Sequence, residues 1–351
     1  MAESKHQVWL HRFAVVTALA TAVLIGVGGL VTSKGAGMSV PDWPTSYGYN
    51  MFALPFKYWK GGAFFEHTHR LAASLIGFLT TIMMVWLWLK EPRRWMRWLG
   101  VIAFFAVVLQ GVLGGLRVVL FKDQIGIFHA ALAQAFLVLV CALALFTSRW
   151  WRQLPGQTVT SAQAALRPLL LGTTIIIFAQ LVLGATMRHQ HAGLAIPDFP
   201  LAYGKLWPAT DAASVARYNQ ERIEITAPNA ITATQIILQM AHRIMAVIIL
   251  GAVTLCAWQS RRKLGGKHPL ARVSTVWLGL ILTQVALGAW TIWSNKAADV
   301  ATAHVVVGAL SLVTGAMLTI VGYRCLSPLT AAQTVSAKRT SSLPHGATQM
   351  G

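Results

Sequence analysis

Residues 28–48 read GGLVTSKGAGMSVPDWPTSYG, and residues 184–204 read GATMRHQHAGLAIPDFPLAYG. The two segments align without a gap, so the PDWP sequence at 41–44 matches the PDFP sequence at 197–200. The similarity continues downstream, where the matched pairs are His69-Arg70 with His242-Arg243, Gln110 with Gln284, and His129 with His304. Self-similarity on this scale indicates a duplicated domain.

The composition of the chain is that of an integral membrane protein. Of its 351 residues, 56% are hydrophobic and 11% are charged, which is too apolar for an ordinary soluble domain. Eight apolar runs are each about 20 residues long, which is enough for a helix to cross a hydrocarbon core of about 30 Å. These runs lie at about 10–31, 67–89, 97–119, 126–148, 167–187, 235–258, 273–293 and 300–323.

Four apolar runs fall in each half of the duplication, and an even number of spans returns the chain to its starting side. We therefore predict an all-α membrane protein of eight transmembrane helices, built as two tandem four-helix bundles. A pseudo-twofold axis along the membrane normal should relate the two bundles. The predicted bundles cover residues 1–150 and 151–325, and residues 326–351, rich in Ser, Thr, Ala and Gln, are predicted to form a disordered cytoplasmic tail.

The net charge of +19 is explained by membrane topology rather than by nucleic-acid binding. With the amino terminus in the cytoplasm, 17 Lys and Arg residues lie in cytoplasmic segments and ten lie on the other side. The positive-inside rule then places both termini in the cytoplasm. The first apolar run is interpreted as a retained helix rather than a signal peptide, and the bacterial cytoplasmic membrane is the expected location.

Four histidines carry the strongest indication of chemistry. His69, His129, His242 and His304 each lie near the start of an even-numbered helix, so all four should occupy one level near the outer face. Intramembrane ionisable residues are costly and are functional-site candidates. Any one of them could simply bond a neighbouring carbonyl. Four at duplicated positions favour a haem iron with two axial imidazoles in each half over zinc, which usually needs three or four protein ligands.

The PDWP and PDFP loops, the EHTHR sequence at 66–70, the LQGVLGG sequence at 109–115 and the four histidines resemble the heme A synthase family over residues 8–325. This resemblance implies oxidation of the C8 methyl group of heme O to a formyl group by successive hydroxylations, with O2 as the oxidant. The product, heme A, would supply cytochrome oxidase.

The resemblance also implies a division of roles between the halves. His242 and His304 would hold haem b, while His69 and His129 would receive heme O as the substrate. Candidate partners are membrane lipid, heme O synthase, and a quinone or another membrane donor or acceptor of electrons. Some members of the family carry a cysteine pair in the first outer loop, but residues 32–65 contain none, so no disulfide relay is expected.

One carboxylate distinguishes the two halves. Glu66 aligns with Gln239, and it lies three residues before His69, so both side chains share a helix face. We predict that Glu66 moves protons during the hydroxylations, provided that burial raises its pKa. The alternative is an exposed acid in the first helical turn that interacts with the helix dipole.

Three arginines are candidate partners of the haem propionates. Arg70 and Arg243 directly follow two of the histidines, and either propionate binding or interfacial snorkelling would explain them. Arg117 is a further propionate candidate. His189 and His191 form a loop pair that lacks a third metal ligand.

Two other functions fit parts of the pattern. A di-haem b-type electron-transfer cytochrome would use both histidine pairs without covalent chemistry. A transporter could also be built from parallel repeats, but the candidate residues cluster at one face rather than at the midplane.

Overall fold

The structure is a computed structural model that describes residues 5–222 and 230–328. Its helices are α1 (Lys5–Ser33), α2 (Gly61–Lys90), α3 (Arg94–Leu120), α4 (Asp123–Thr147), α5 (Arg149–Gln153), α6 (Ser161–Ala164), α7 (Leu166–His189), α8 (Ala212–Gln220), α9 (Ala233–Leu264), α10 (Pro269–Trp293) and α11 (Ala298–Cys325). Two short strands, β1 (Gln157–Val159) and β2 (Leu326–Pro328), form a parallel pair.

Eight helical segments in the described part of the chain are long and apolar enough to cross a membrane. They correspond to α1, α2, α3, α4, α7 with the preceding α6, α9, α10 and α11, so the prediction of eight spans is confirmed. Several helices extend beyond their apolar runs, because polar residues do not by themselves end a helix. The run at 235–258, for example, continues as α9 through Arg261 and Arg262 to Leu264, where Gly265 with a positive φ ends it.

The long helices pack in two groups of four. In the first half α1 packs against α2 and α4, and α3 packs against α2 and α4. In the second half α9 packs against α7 and α10, and α11 packs against α7 and α10. Each group encloses its own apolar core, which includes Leu10, Ile76, Met83, Leu87 and Leu137 in the first half and Leu170, Ile177, Val253, Trp277 and Leu312 in the second. The pseudo-twofold axis stays a prediction.

The two halves meet along α1, α4, α7 and α11. Small residues on α1 allow α11 to approach closely: a Cβ atom on Gly26 would lie 3.3 Å from Val306, and one on Gly29 would lie 3.4 Å from Thr302. The hydroxyl groups of Ser33 and Thr302 are 3.2 Å apart in the same contact. The helix that begins the chain is therefore part of both the first bundle and the interface.

The carboxyl end of α11 is tied back to the connection between the two halves. Residues 326–328, which the sequence assigned to the tail, form β2 and pair with β1. Leu326 is buried, and the Arg324 guanidinium stacks over the ring of buried Trp151. The remaining residues of the predicted tail, 329–351, lie outside the described part of the chain.

Candidate functional site

All four candidate histidines lie at the same end of the helices. We call it the loop end, because the long connections that follow α1 and α7 begin there. The histidine rings pack directly against glycines of the preceding helices, where an added Cβ atom would lie only 3.0–3.2 Å from each ring. The contacts pair Gly28 with His69, Gly114 with His129, Gly184 with His242, and Gly288 with His304. Gly28 and Gly184 were not predicted as site residues, although both open the repeated segments.

The rings of His242 and His304 face each other across the second half. Their centroids are 6.5 Å apart, with 58° between the ring planes. Two metal–nitrogen bonds of about 2 Å each, together with the two rings, need a centroid separation of about 6 Å. Both Nδ1 atoms are buried without a hydrogen-bond partner. The pair therefore fits a metal held between two axial imidazoles, as in a bis-histidine haem.

The first half carries the matching histidines, His69 and His129. His69 and His129 interact electrostatically, and the Nδ1 atom of His69 is buried without a partner. The Nδ1 atom of His129 lies 3.1 Å from the carbonyl oxygen of Gln110, and the Gln110 amide donates to the His129 carbonyl at 2.9 Å. A hydrogen bond from Nδ1 to the Gln110 carbonyl would leave Nε2 of His129 as the free ligand atom.

Glu66 is buried and contacts the first loop. The Val40 amide donates to one carboxylate oxygen at 3.0 Å, and the Arg70 guanidinium donates to the other at 2.7 Å. Its side chain is only 5% exposed, and α2 begins five residues earlier, at Gly61. The alternative of an exposed first-turn acid is therefore wrong.

Gln239 occupies the matching position in the second half. Its Oε1 atom accepts from the Ile196 amide at 2.7 Å, and its Nε2 atom donates to the carbonyls of Gly193 and Ile196. Val40 and Ile196 are themselves matched in the repeat, directly before the two PDxP sequences. Glutamate and glutamine thus make the same loop contact, and only the first half adds a negative charge.

Arg70 and Arg243 hold the two PDxP loops in place. Arg70 donates to the carbonyls of Val40, Asp42 and Thr45 at 2.7–3.0 Å. Arg243 donates to the matching carbonyls of Asp198 and Leu201 at 2.7 and 2.8 Å. This anchoring role was not predicted from the residue types. Propionate binding by these two residues stays a prediction.

The aspartates of the PDxP loops bond nearby main-chain amides. Asp42 accepts hydrogen bonds from the amides of Tyr47 and Gly48 at 2.6 and 2.8 Å. Asp198 accepts the matching bonds from the amides of Tyr203 and Gly204 at 2.7 and 2.9 Å. Burial opposes ionisation of Asp42, but hydrogen bonds, among them those from Thr45 and the two amides, hold its pKa below the usual value. Both X-Pro bonds at 43–44 and 199–200 are cis.

Arg117 lies between the first loop and the first histidine pair. A Cβ atom on Gly37 would come within 2.9 Å of its guanidinium, which also interacts electrostatically with His69 and His129. The nearest described carboxylate is that of Asp123, at 3.7 Å. This position suits the predicted role of Arg117 at a porphyrin edge.

His189 and His191 do not form a metal site with other described residues. His189 is buried against Gly126, with its Nδ1 atom 3.9 Å from Asp123, whereas His191 is exposed. Within residues 5–222 and 230–328, no group of three or more His, Cys, Asp or Glu residues is placed to hold a metal ion.

A family model described as cytochrome oxidase assembly protein, COX15-CtaA, matches residues 11–316. The chain belongs to this family. Relatives named Heme A synthase include a protein of Shewanella oneidensis, 26% identical over 87% of this chain and 93% of its own length. A Geobacillus kaustophilus protein is 26% identical over 83% of this chain and 84% of its own length. A Shouchella clausii protein is 31% identical over 57% of this chain and 65% of its own length.

These similarities confirm the resemblance to heme A synthases that the motifs indicated. The match to the COX15-CtaA family reaches from α1 into α11 and includes both PDxP loops, Glu66 and all four histidines. The whole candidate site therefore lies inside the part of the chain that the family shares.

Proposed function

We propose that this protein is a membrane oxidoreductase that converts heme O to heme A by oxidising the C8 methyl group to a formyl group. Family membership supports a role in heme A synthesis. The observation that carries the proposal is the pair of facing imidazoles of His242 and His304, 6.5 Å apart, with a second histidine pair in the first half. Two porphyrin sites in one chain suit a cofactor in one half and a substrate in the other.

His242 and His304 would hold haem b, and His69 and His129 would bind the iron of heme O. Bound haem b supplies one-electron redox chemistry. The glycines behind the four rings fix where each imidazole lies, so the methyl group of heme O would be held at a constant place relative to Glu66. Fixed placement of a reacting group contributes strongly to rate.

The reaction requires protons as well as electrons. Each hydroxylation places one oxygen atom of O2 in a methyl C–H bond, consumes two electrons and two protons, and releases one water. Two hydroxylations give a gem-diol, which loses water to form the aldehyde. Glu66 is the carboxylate that we assign to proton transfer. For that step one of its oxygens must exchange its contact with the Val40 amide or with Arg70 for a proton.

We also propose the orientation that the charge distribution indicates, with both termini in the bacterial cytoplasm and the loop end at the outer face. Heme O synthase and a quinone, or another membrane donor or acceptor of electrons, are the proposed partners. Heme O would then be delivered to a site near the outer surface.

The direct test is chromatography of haems extracted from membranes of a host that makes heme O but no heme A. Expression of this protein is expected to produce heme A, and membranes without the protein should contain heme O alone. Unconverted heme O, together with two equivalents of haem b in the purified protein, would contradict the proposal. That outcome would support the di-haem electron-transfer cytochrome instead.

Replacement of Gly184 by valine should reduce the haem b content of the purified protein several-fold. A Cβ atom at this position would lie 3.2 Å from the His242 ring, and the two valine methyl groups would push the ring out of line with His304. The control is Gly172→Val on the same helix, where an added Cβ atom meets nothing within 4 Å. Equal haem b content in both variants, measured by absorbance per protein, would show that the contact with Gly184 does not position His242.

A further inference from the structure

Basic side chains from both halves converge at the loop end, between the two histidine pairs. Arg188, at the end of α7 in the second half, donates to the Gly29 carbonyl at 2.6 Å and to the Ser33 hydroxyl, both on α1 of the first half. Two other cations are near enough to Arg188 for their like charges to repel. They are Arg117 of α3 and Lys296, which lies in the turn between α10 and α11. These three residues form a cluster that we call the junction cations.

The described structure does not balance the charge of the junction cations. Asp123 lies 3.7 Å from Arg117, but its side chain is 41% exposed and it is also the partner of His189. Within residues 5–222 and 230–328, no carboxylate lies within ion-pair distance of Arg188 or Lys296. Burial, and then the neighbouring Arg188, lower the pKa of Lys296.

Two of the junction cations also have unused hydrogen-bond donors. The Nε atoms of Arg117 and Arg188 are both buried without a partner, and the side chain of Arg117 is only 15% exposed. A partly buried, uncompensated charge and an unmet donor are each costly. Both costs disappear when an anion with several acceptor oxygens binds, and a carboxylate matches the guanidinium fork.

The position of the cluster identifies which carboxylates could reach it. Arg117 interacts electrostatically with His69 and His129 of the first pair, and Arg188 does so with His304 of the second. A porphyrin held by either pair would therefore have one edge near the junction cations. Haem b and heme O each carry two propionates on one edge of the ring.

We propose that Arg117, Arg188 and Lys296 form one carboxylate site shared by the two halves, which takes a propionate from the porphyrin of each half. Arg188 links the two halves within this site, since it belongs to the second half and is hydrogen-bonded to Gly29 and Ser33 of the first. The inference rests on the proposed function only in requiring that porphyrins occupy the histidine pairs. Arg188 and Lys296 were not among the residues predicted from the sequence.

The test compares two ligands of the full-length apoprotein, purified from a haem-deficient host. One is haem b, and the other is its dimethyl ester, in which both propionates are blocked. Wild-type protein should bind the free acid about tenfold or more tightly than the ester, as expected for loss of a charge-assisted hydrogen bond. In Arg188→Gln this preference should largely disappear through weaker binding of the acid, while binding of the ester stays unchanged. Arg188→Lys should restore part of the preference.

Two further variants separate binding from folding. Arg167→Gln alters an arginine at the other end of α7, stacked over Tyr323, and should behave as the wild type. Lys296→Gln changes a residue outside the helices and should reduce the preference for the acid in the same direction as Arg188→Gln. The inference is overturned if both junction variants keep the wild-type preference, or if they lose acid and ester binding equally.

The outcomes also distinguish this inference from the proposed function. A clear acid preference that depends on Arg188, in a protein that leaves heme O unconverted, would refute the synthase while supporting the shared carboxylate site. Conversion of heme O by a protein without that preference would refute the site alone. Failure of the wild type to bind either ligand would refute both.

Discussion

His304→Ala is expected to remove haem b from the purified protein, with a loss of about tenfold or more in bound haem per chain. The ring of His304 faces that of His242 at a centroid distance of 6.5 Å, so its removal leaves a haem with a single axial ligand in that half. Absorbance and haem extraction measure the loss. A change from the low-spin spectrum of bis-imidazole iron in any remaining haem would report the missing ligand.

The matched variant is His129→Ala, which removes the corresponding imidazole from the first half. It should retain the haem b spectrum of the second half and lose the conversion of heme O. If His129→Ala removed the haem b and His304→Ala kept it, the assignment of cofactor and substrate to the two halves would be reversed. If each variant lost half of the bound haem b and neither affected any chemistry, the protein would be a di-haem cytochrome.

Glu66→Gln is expected to lower the rate of heme A formation about a hundredfold or more, which is the scale for loss of a general acid–base group. The fold and the haem b content should be preserved. The second half provides the physical reason, because Gln239 already makes the equivalent contact with the Ile196 amide at 2.7 Å. A glutamine at 66 can therefore hold the Val40 amide, and the substitution removes the negative charge and its ion pair with Arg70. Chromatography of heme O, heme A and the hydroxymethyl intermediate measures the effect.

The control for this substitution is Gln239→Glu, which places a carboxylate next to Arg243 in the second half. It should leave the rate of heme A formation near that of the wild type, because haem b rather than heme O is proposed to bind there. A wild-type rate in Glu66→Gln would assign Glu66 to loop anchoring alone, together with Arg70. A fall in rate accompanied by loss of haem b would indicate a structural defect.

The helices and the histidine level could be predicted because their signals are local and repeated. Runs of about 20 apolar residues mark the spans, and the duplicated His-Arg pairs mark one end of α2 and α9. The ends of the helices were predicted less well, since α9 continues through a basic stretch to Leu264 and α2 begins before its apolar run, at Gly61.

The loop contacts could not be predicted, because they depend on where main-chain carbonyls point. The sequence is compatible with propionates or the membrane interface for Arg70 and Arg243; in the structure both donate to carbonyls of the PDxP loops, and Arg70 also donates to Glu66. Nothing in the residue types distinguishes these possibilities until the backbone of the loop is known.

Arg188 was missed for a different reason. In the gapless alignment of 28–48 with 184–204 it stands opposite Thr32, so the repeat itself offers no counterpart. Its hydrogen-bond partners on α1 belong to the other half and are more than 150 residues away in sequence. Positions where the two repeats differ are thus candidates for a difference in function between the halves. The pair Glu66 and Gln239 is another such position.

The adjacent glycines Gly28 and Gly29 bring α1 close to both histidine sites. A Cβ atom on Gly28 would lie 3.0 Å from the ring of His69. One on Gly29 would lie 3.4 Å from Thr302 and 3.7 Å from Val305, which stand on either side of His304 in the sequence of α11. Neither glycine has a side chain that could absorb a displacement. A larger residue at either position would therefore force α1 away from α2 or α11 at the level of the histidines.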